Sequence, residues 1–122
     1  MEYIPEGSSD CPLIRISGTS LKDLSVLMDA WTALSRQAGV EIPLGLLEGM
    51  TTKDRCELIC SSAEVSVGIQ AQAGNQFWCA LTRAAWENVG ELTEPFLNQQ
   101  AGYQWLIDDG AVSLLLSPSG CW

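Results

Sequence analysis

Between Ser20 and Gly39, apolar residues recur three and four apart at Leu21, Leu24, Leu27, Met28, Trp31 and Leu34, which predicts a helix burying one stripe. Ser20 stands at its N-cap, Asp23 follows as a shorter version of the capping-box acid, and Gly39 is the stop. Lys22, Asp23, Asp29 and Arg36 take the wet face. Ahead of this helix, Leu13-Ile14-Arg15-Ile16 reads as a short strand, and residues 1–10, with Gly7-Ser8-Ser9, as a flexible lead-in. Residues 40–55 break their apolar run at Pro43, Gly45 and Gly49, so a loop with one short element is expected there.

The pattern then changes period. Cys56 to Ser61 is a strand candidate. From Ala63 to Ala73, Ala63, Val65, Val67, Ile69 and Ala71 alternate with Glu64, Ser66, Gly68, Gln70 and Gln72, as expected of a strand with one face wet or used for contact. Gly74-Asn75 signals a tight turn, and Phe77 to Thr82, apolar on both sides, belongs in the middle of a sheet with helices or a partner on its faces. Ala84 to Leu92 is helical in character; Thr93 can cap a short helix at Glu94-Pro95, and Gly102 can end it. The segment 103–117, "YQWLIDDGAVSLLLS", reads as a hairpin turning at Asp109-Gly110 and broken by Ser117-Pro118-Ser119-Gly120. These elements predict an α+β fold: a largely antiparallel sheet of about five strands packed with two or three helices in a two-layer sandwich. One domain spanning 11–122 is expected, and no internal repeat or low-complexity tract is visible.

Charge narrows the function. With 15 Asp and Glu against 6 Lys and Arg, the formal charge is -9. That balance opposes direct binding of nucleic acid, whose phosphates attract Lys and Arg, and favours fast, salt-sensitive encounter with a basic partner. A solubilising surface is the plainer explanation of the same excess. No stretch is apolar enough to span a bilayer, and Met1 is followed by Glu2 and Glu6 in place of a basic segment and apolar run, so an unexported, cytoplasmic protein is expected. Cys11, Cys56, Cys60, Cys79 and Cys121 are an odd number without framework spacing, as for reduced thiols, and Cys79 reads as core.

The chain contains no histidine, which removes the commonest general base and metal-ligating nitrogen. Cys-His and Ser-His-Asp nucleophiles are excluded, and no spacing supports a pairing of serine with Lys22 or Lys53. Cys56 and Cys60 lack the second pair of a four-ligand zinc site, and Gly45, Gly49 and Gly68 form no phosphate-cradling loop. No catalytic residue, metal site or cofactor is therefore assigned. Of five tryptophans, Trp31 and Trp86 lie on apolar helix stripes and read as core, whereas Trp78, Trp105 and Trp122 would be anchors for another protein on an uncovered sheet face.

Residues 84–122 carry Glu87, Glu91, Glu94, Asp108 and Asp109 with no lysine or arginine among them. On one continuous helix the three glutamates would share a face at i, i+4 and i+7, a mildly unfavourable arrangement unless something basic offsets it; Glu94-Pro95 would break the alignment if the helix ends there. These five acids form the expected contact set for a cationic partner, set against a merely solvated face. The polar alternation at Glu64, Gln70 and Gln72 is the second candidate surface.

In size, charge and its "GYQWLIDDGAVSLLLSPSG" ending, the chain resembles the cytoplasmic immunity proteins of bacterial polymorphic toxin systems. That resemblance implies a non-enzymatic protein that binds a toxic domain, often a basic nuclease, and masks its active site or substrate groove. Over residues 20–117, the order helix, strands, helix with "PFLNQQ", then the "YQWLIDDGAVSLLL" hairpin is similar to type III secretion chaperones. These are small, acidic, usually dimeric proteins that wrap an effector segment. The chain departs from them in lacking a long final helix after Pro118 and in having the Leu13–Ile16 strand.

Overall fold

The computed structural model describes residues 1–5, 12–99, 101–108 and 111–118. Eight strands and two α-helices follow one another as β1 (Glu2–Ile4), β2 (Leu13–Ser17), α1 (Leu21–Arg36), β3 (Glu41–Pro43), β4 (Glu57–Ser62), β5 (Gly68–Ala71), β6 (Gln76–Leu81), α2 (Arg83–Thr93), β7 (Gln104–Ile107) and β8 (Ser113–Ser117). Two 3-10 turns, Leu44–Leu46 and Glu94–Leu97, complete the regular structure among the described residues. The fold is α+β, as the sequence pattern predicts.

The sheet differs from that expectation. In place of one sheet of about five strands there are two of four, ordered β1-β2-β8-β7 and β3-β4-β6-β5. Each has an inner parallel pair, β2 with β8 and β4 with β6, flanked by antiparallel edges. Ile14 lies opposite Leu114 and Cys60 opposite Cys79, pairings that period-two patterns in either strand leave undetermined. An antiparallel bridge between Ile69 and Val112 joins the sheets at one corner. At another, the Lys53 N–H donates to the Met1 carbonyl at 3.0 Å.

The order of elements contains a repeat that the residues do not advertise. Two consecutive units, β1-β2-α1-β3-β4 and β5-β6-α2-β7-β8, have the same succession, and each sheet takes one hairpin from each unit. Exchanging the units maps one sheet onto the other. The helices correspond position by position: Ser20 and Thr82 are the N-caps, and Leu24, Leu27, Trp31 and Leu34 are buried where Trp86, Val89, Thr93 and Phe96 are buried. No residue identity survives among these pairs.

One continuous apolar core draws on both sheets and both helices, including Ile14, Ile16, Leu58, Cys60, Phe77, Cys79, Leu114 and Leu116. Trp31 of α1 and Trp86 of α2 stack within it, centroids 5.6 Å apart and planes 9° from parallel, and the Trp86 indole N–H donates to the Ser61 carbonyl at 2.8 Å. Sequence reading overextends one strand. Residues 63–67 form a bend ahead of β5, and Val65 and Val67 are 69% and 50% exposed instead of inward-facing. Gly68, where the strand starts, has φ +83°, a backbone conformation that stops the extended run from reaching further back. The cap expected at Thr93 is also absent: its hydroxyl donates back to the Val89 carbonyl at 2.9 Å, and the chain passes directly into the 3-10 turn. No helix among the described residues is long and apolar enough to cross a membrane.

Candidate functional site

α1 and α2 lie side by side, and between them runs an open cleft of about 170 Å³. Its α1 wall is Met28, Trp31, Thr32 and Ser35; its α2 wall is Trp86, Glu87, Gly90, Glu91 and Glu94. Both sets follow the helical three-and-four spacing, so each helix gives the cleft one stripe beside its buried one. Gly90 lines the cleft from α2, and a Cβ there would lie 3.7 Å from the Trp31 Cβ, in ordinary contact.

Of the expected contact residues, Glu87, Glu91 and Glu94 are thus brought together, all exposed, along one rim. Helix α2 ends at Thr93, yet the 3-10 turn continues in the right-handed helical region at Glu94 and keeps its carboxylate on the same side of the cleft. Asp108 does not line the cleft; its Oδ1 accepts from the Ser113 hydroxyl at 3.2 Å, across the base of the β7–β8 hairpin. Asp109 lies outside the described residues. Glu64, Gln70 and Gln72 lie in three different settings. Glu64 sits in the bend beside a separate hollow with Thr82 and Arg83, Gln70 lies opposite Trp78, and the Gln72 N–H closes the β5–β6 turn on the Gln76 carbonyl. Thr32 and Ser35 are cleft residues that sequence reading passed over. As polar positions next to the apolar stripe of α1 they have no signature until α2 is placed against them.

The two helices treat charge in opposite ways. A helix carries partial positive charge at its N-terminus and partial negative charge at its C-terminus. α1 has Asp23 in its first turn and Arg36 in its last, both matched to that dipole. α2 begins with Arg83, has no acid in its first turn and no base in its last, and places Glu91 and Glu94 at its negative end. Glu87 and Glu91, four apart, add like-charge repulsion.

Arg83 stands four residues before Glu87, but among the described residues no ion pair engages the three acids. The ion pairs among the described residues are Arg15–Glu2 at 3.0 Å, Lys53–Glu2 at 3.0 Å and Lys22–Glu48 at 3.2 Å, none of which touches the cleft. No group of three acids or cysteines among the described residues is arranged to hold a metal ion, so the three carboxylates are spread along a rim and do not converge on a point. The Trp31 indole N–H is buried and has no hydrogen-bond partner.

A second surface is defined by sheet register. On the outer side of the second sheet, Pro43, Ile59, Trp78 and Gln70 form a row across β3, β4, β6 and β5. Ile59 and Trp78 are half-buried, alternating with the fully buried Leu58, Cys60, Phe77 and Cys79 of the inner side. The thiols are core groups: burial pushes Cys56 up to about 11 and Cys79 up to about 12, and raises Cys60 well above the usual thiol range. Comparison with family models, curated proteins and solved structures found no match to this chain.

Proposed function

We propose that the protein works by binding a basic protein domain through the acidic rim of the α1–α2 cleft, masking that domain's active site or substrate groove. The observation that carries this reading is the charge arrangement of α2. A carboxylate near a helix C-terminus costs about 0.3–1 kcal/mol, and a like-charge i, i+4 pair a further few tenths. α2 bears both costs with no ion pair to these glutamates among the described residues, while α1 in the same molecule avoids them. A cationic partner on the rim relieves both, and the net charge of -9 extends the attraction to the encounter step. An immunity-type inhibitor of a basic toxin is the biological form that fits this chemistry.

The test needs no partner to begin. Replacing Glu87, Glu91 and Glu94 by Gln is expected to stabilise the free protein by about 1 kcal/mol in urea unfolding and to slow association with a basic partner at low salt. Acids that serve the fold itself would give destabilisation instead.

The Pro43–Ile59–Trp78 row favours a second reading, a chaperone that receives an apolar effector segment on the sheet. Binding abolished by Trp78→Ala and unaffected by the Gln variant would establish it in place of the first.

A further inference from the structure

The cleft also carries information about the shape of what it receives. We infer that the partner docks a helix into it, with lysine or arginine at i, i+4 and i+7 facing Glu87, Glu91 and Glu94. This rests on the reading that the rim binds a basic partner, and adds to it the partner's docking element. With a rise of about 1.5 Å per residue, the three glutamates span roughly 10 Å of rim. A metal ion is too small to bridge them, consistent with the absence of any chelating group there. A second helix in near-parallel packing repeats the same spacing, because ridges of one helix seat in the grooves of another at crossings of about 20°.

The floor suits such an occupant. Met28, Thr32 and Ser35 offer a half-buried, uncharged track opposite the acids. The Ser35 hydroxyl already donates to the Thr32 carbonyl at 2.8 Å, so its proton is committed within α1. An amphipathic helix with small or apolar residues beside its basic stripe covers both walls at once, the usual mode for a peptide helix in a groove. Among the described residues, no basic residue lines the cleft to repel it.

The probes are two synthetic helix-forming peptides of identical composition, one with three lysines at i, i+4 and i+7, the other with the lysines at i, i+2 and i+5, spread around the helix. Binding to the full chain is followed by calorimetry and by amide and indole shifts in two-dimensional NMR. The indole N–H of Trp31 serves as the reporter inside the cleft. The one-face peptide is expected to bind about tenfold tighter or better, to shift residues 28–35 and 86–94, and to lose that advantage in the Glu87→Gln, Glu91→Gln, Glu94→Gln variant. Thr32→Lys places a cation in the cleft and is expected to abolish binding while leaving the protein folded.

Equal binding of both peptides, lost in the Gln variant, would overturn the helix and leave the acidic rim standing. Binding that persists in the Gln variant, or shifts confined to the Trp78 face, would overturn both the helix and the rim. No binding by either peptide would overturn the helix.

Discussion

Asp23 shows how single residues set the limits of this fold. Its Oδ2 accepts from the Ser20 N–H at 3.0 Å while its own N–H donates to the Ser20 hydroxyl at 3.2 Å, closing the capping box that the spacing Ser20-Asp23 predicts. The bond from the Ser20 backbone, followed by the Ser20 side chain, holds the carboxyl below the usual aspartate range. A carboxyl depressed by folding contributes stability above its unfolded pKa and loses it as pH falls through the folded value. The destabilisation caused by Asp23→Asn, measured by urea unfolding, is therefore expected to be largest near neutral pH and to vanish in strong acid; a pH-independent difference would contradict it. Ser20→Ala removes the cap and is expected to cost about 1 kcal/mol. Gly49, at φ +83°, faces the same carboxylate, and a Cβ there would overlap the Asp23 Oδ1. Gly49→Ala is thus expected to destabilise by about 1–2 kcal/mol. The cap was legible because it is local in sequence, whereas the role of Gly49 depends on a loop returning to the helix N-terminus.

At the scale of elements, the contrast between the helices decides which charges serve the fold. α1 is capped, dipole-matched and anchored by Leu24, Leu27, Trp31 and Leu34. α2 is shorter, carries a buried glycine in its third turn and is held by Trp86 and Val89. Since the Gly90 backbone is helical and the added methyl would meet Trp31 at ordinary contact distance, Gly90→Ala is expected to stabilise by about 1 kcal/mol in thermal or urea unfolding. A loss of stability would mean that the helices are packed more tightly than the geometry shows. The stripe of acids was legible from spacing alone. What spacing withheld was the wall facing it, because Met28, Thr32 and Ser35 are defined as a surface only by the tertiary packing of α1 on α2. The polar alternation at Glu64, Gln70 and Gln72 overruns the strand for a related reason: a period of two is necessary for a strand, but β5 begins only at Gly68, with its positive φ, and stops at Ala71.

The whole molecule is woven from its two units, since each sheet takes one hairpin from each. Neither unit can complete a sheet alone, so unfolding is expected to be a single cooperative transition with coincident tryptophan fluorescence and far-UV circular dichroism curves. Two separated transitions would contradict the interleaved topology. This level of organisation was the least legible. The predicted elements were largely right, but the pairing of β2 with β8 joins residues about a hundred positions apart, and hydrophobic alternation is the same in parallel and antiparallel neighbours. The chemistry of the site, by contrast, is a whole-molecule property already present in composition: an acidic chain without histidine, with its last basic residue at Arg83. The measurement that tests the central claim most directly is quantitative capture from native lysate with neighbouring gene products expressed. The wild-type chain and the Glu87→Gln, Glu91→Gln, Glu94→Gln variant would be compared in low and high salt, followed by mass determination of the complex. The account predicts one basic, folded protein in a one-to-one complex, retained by the wild type at low salt and lost both in high salt and in the variant. Capture of the same partner by the variant with undiminished yield would contradict it.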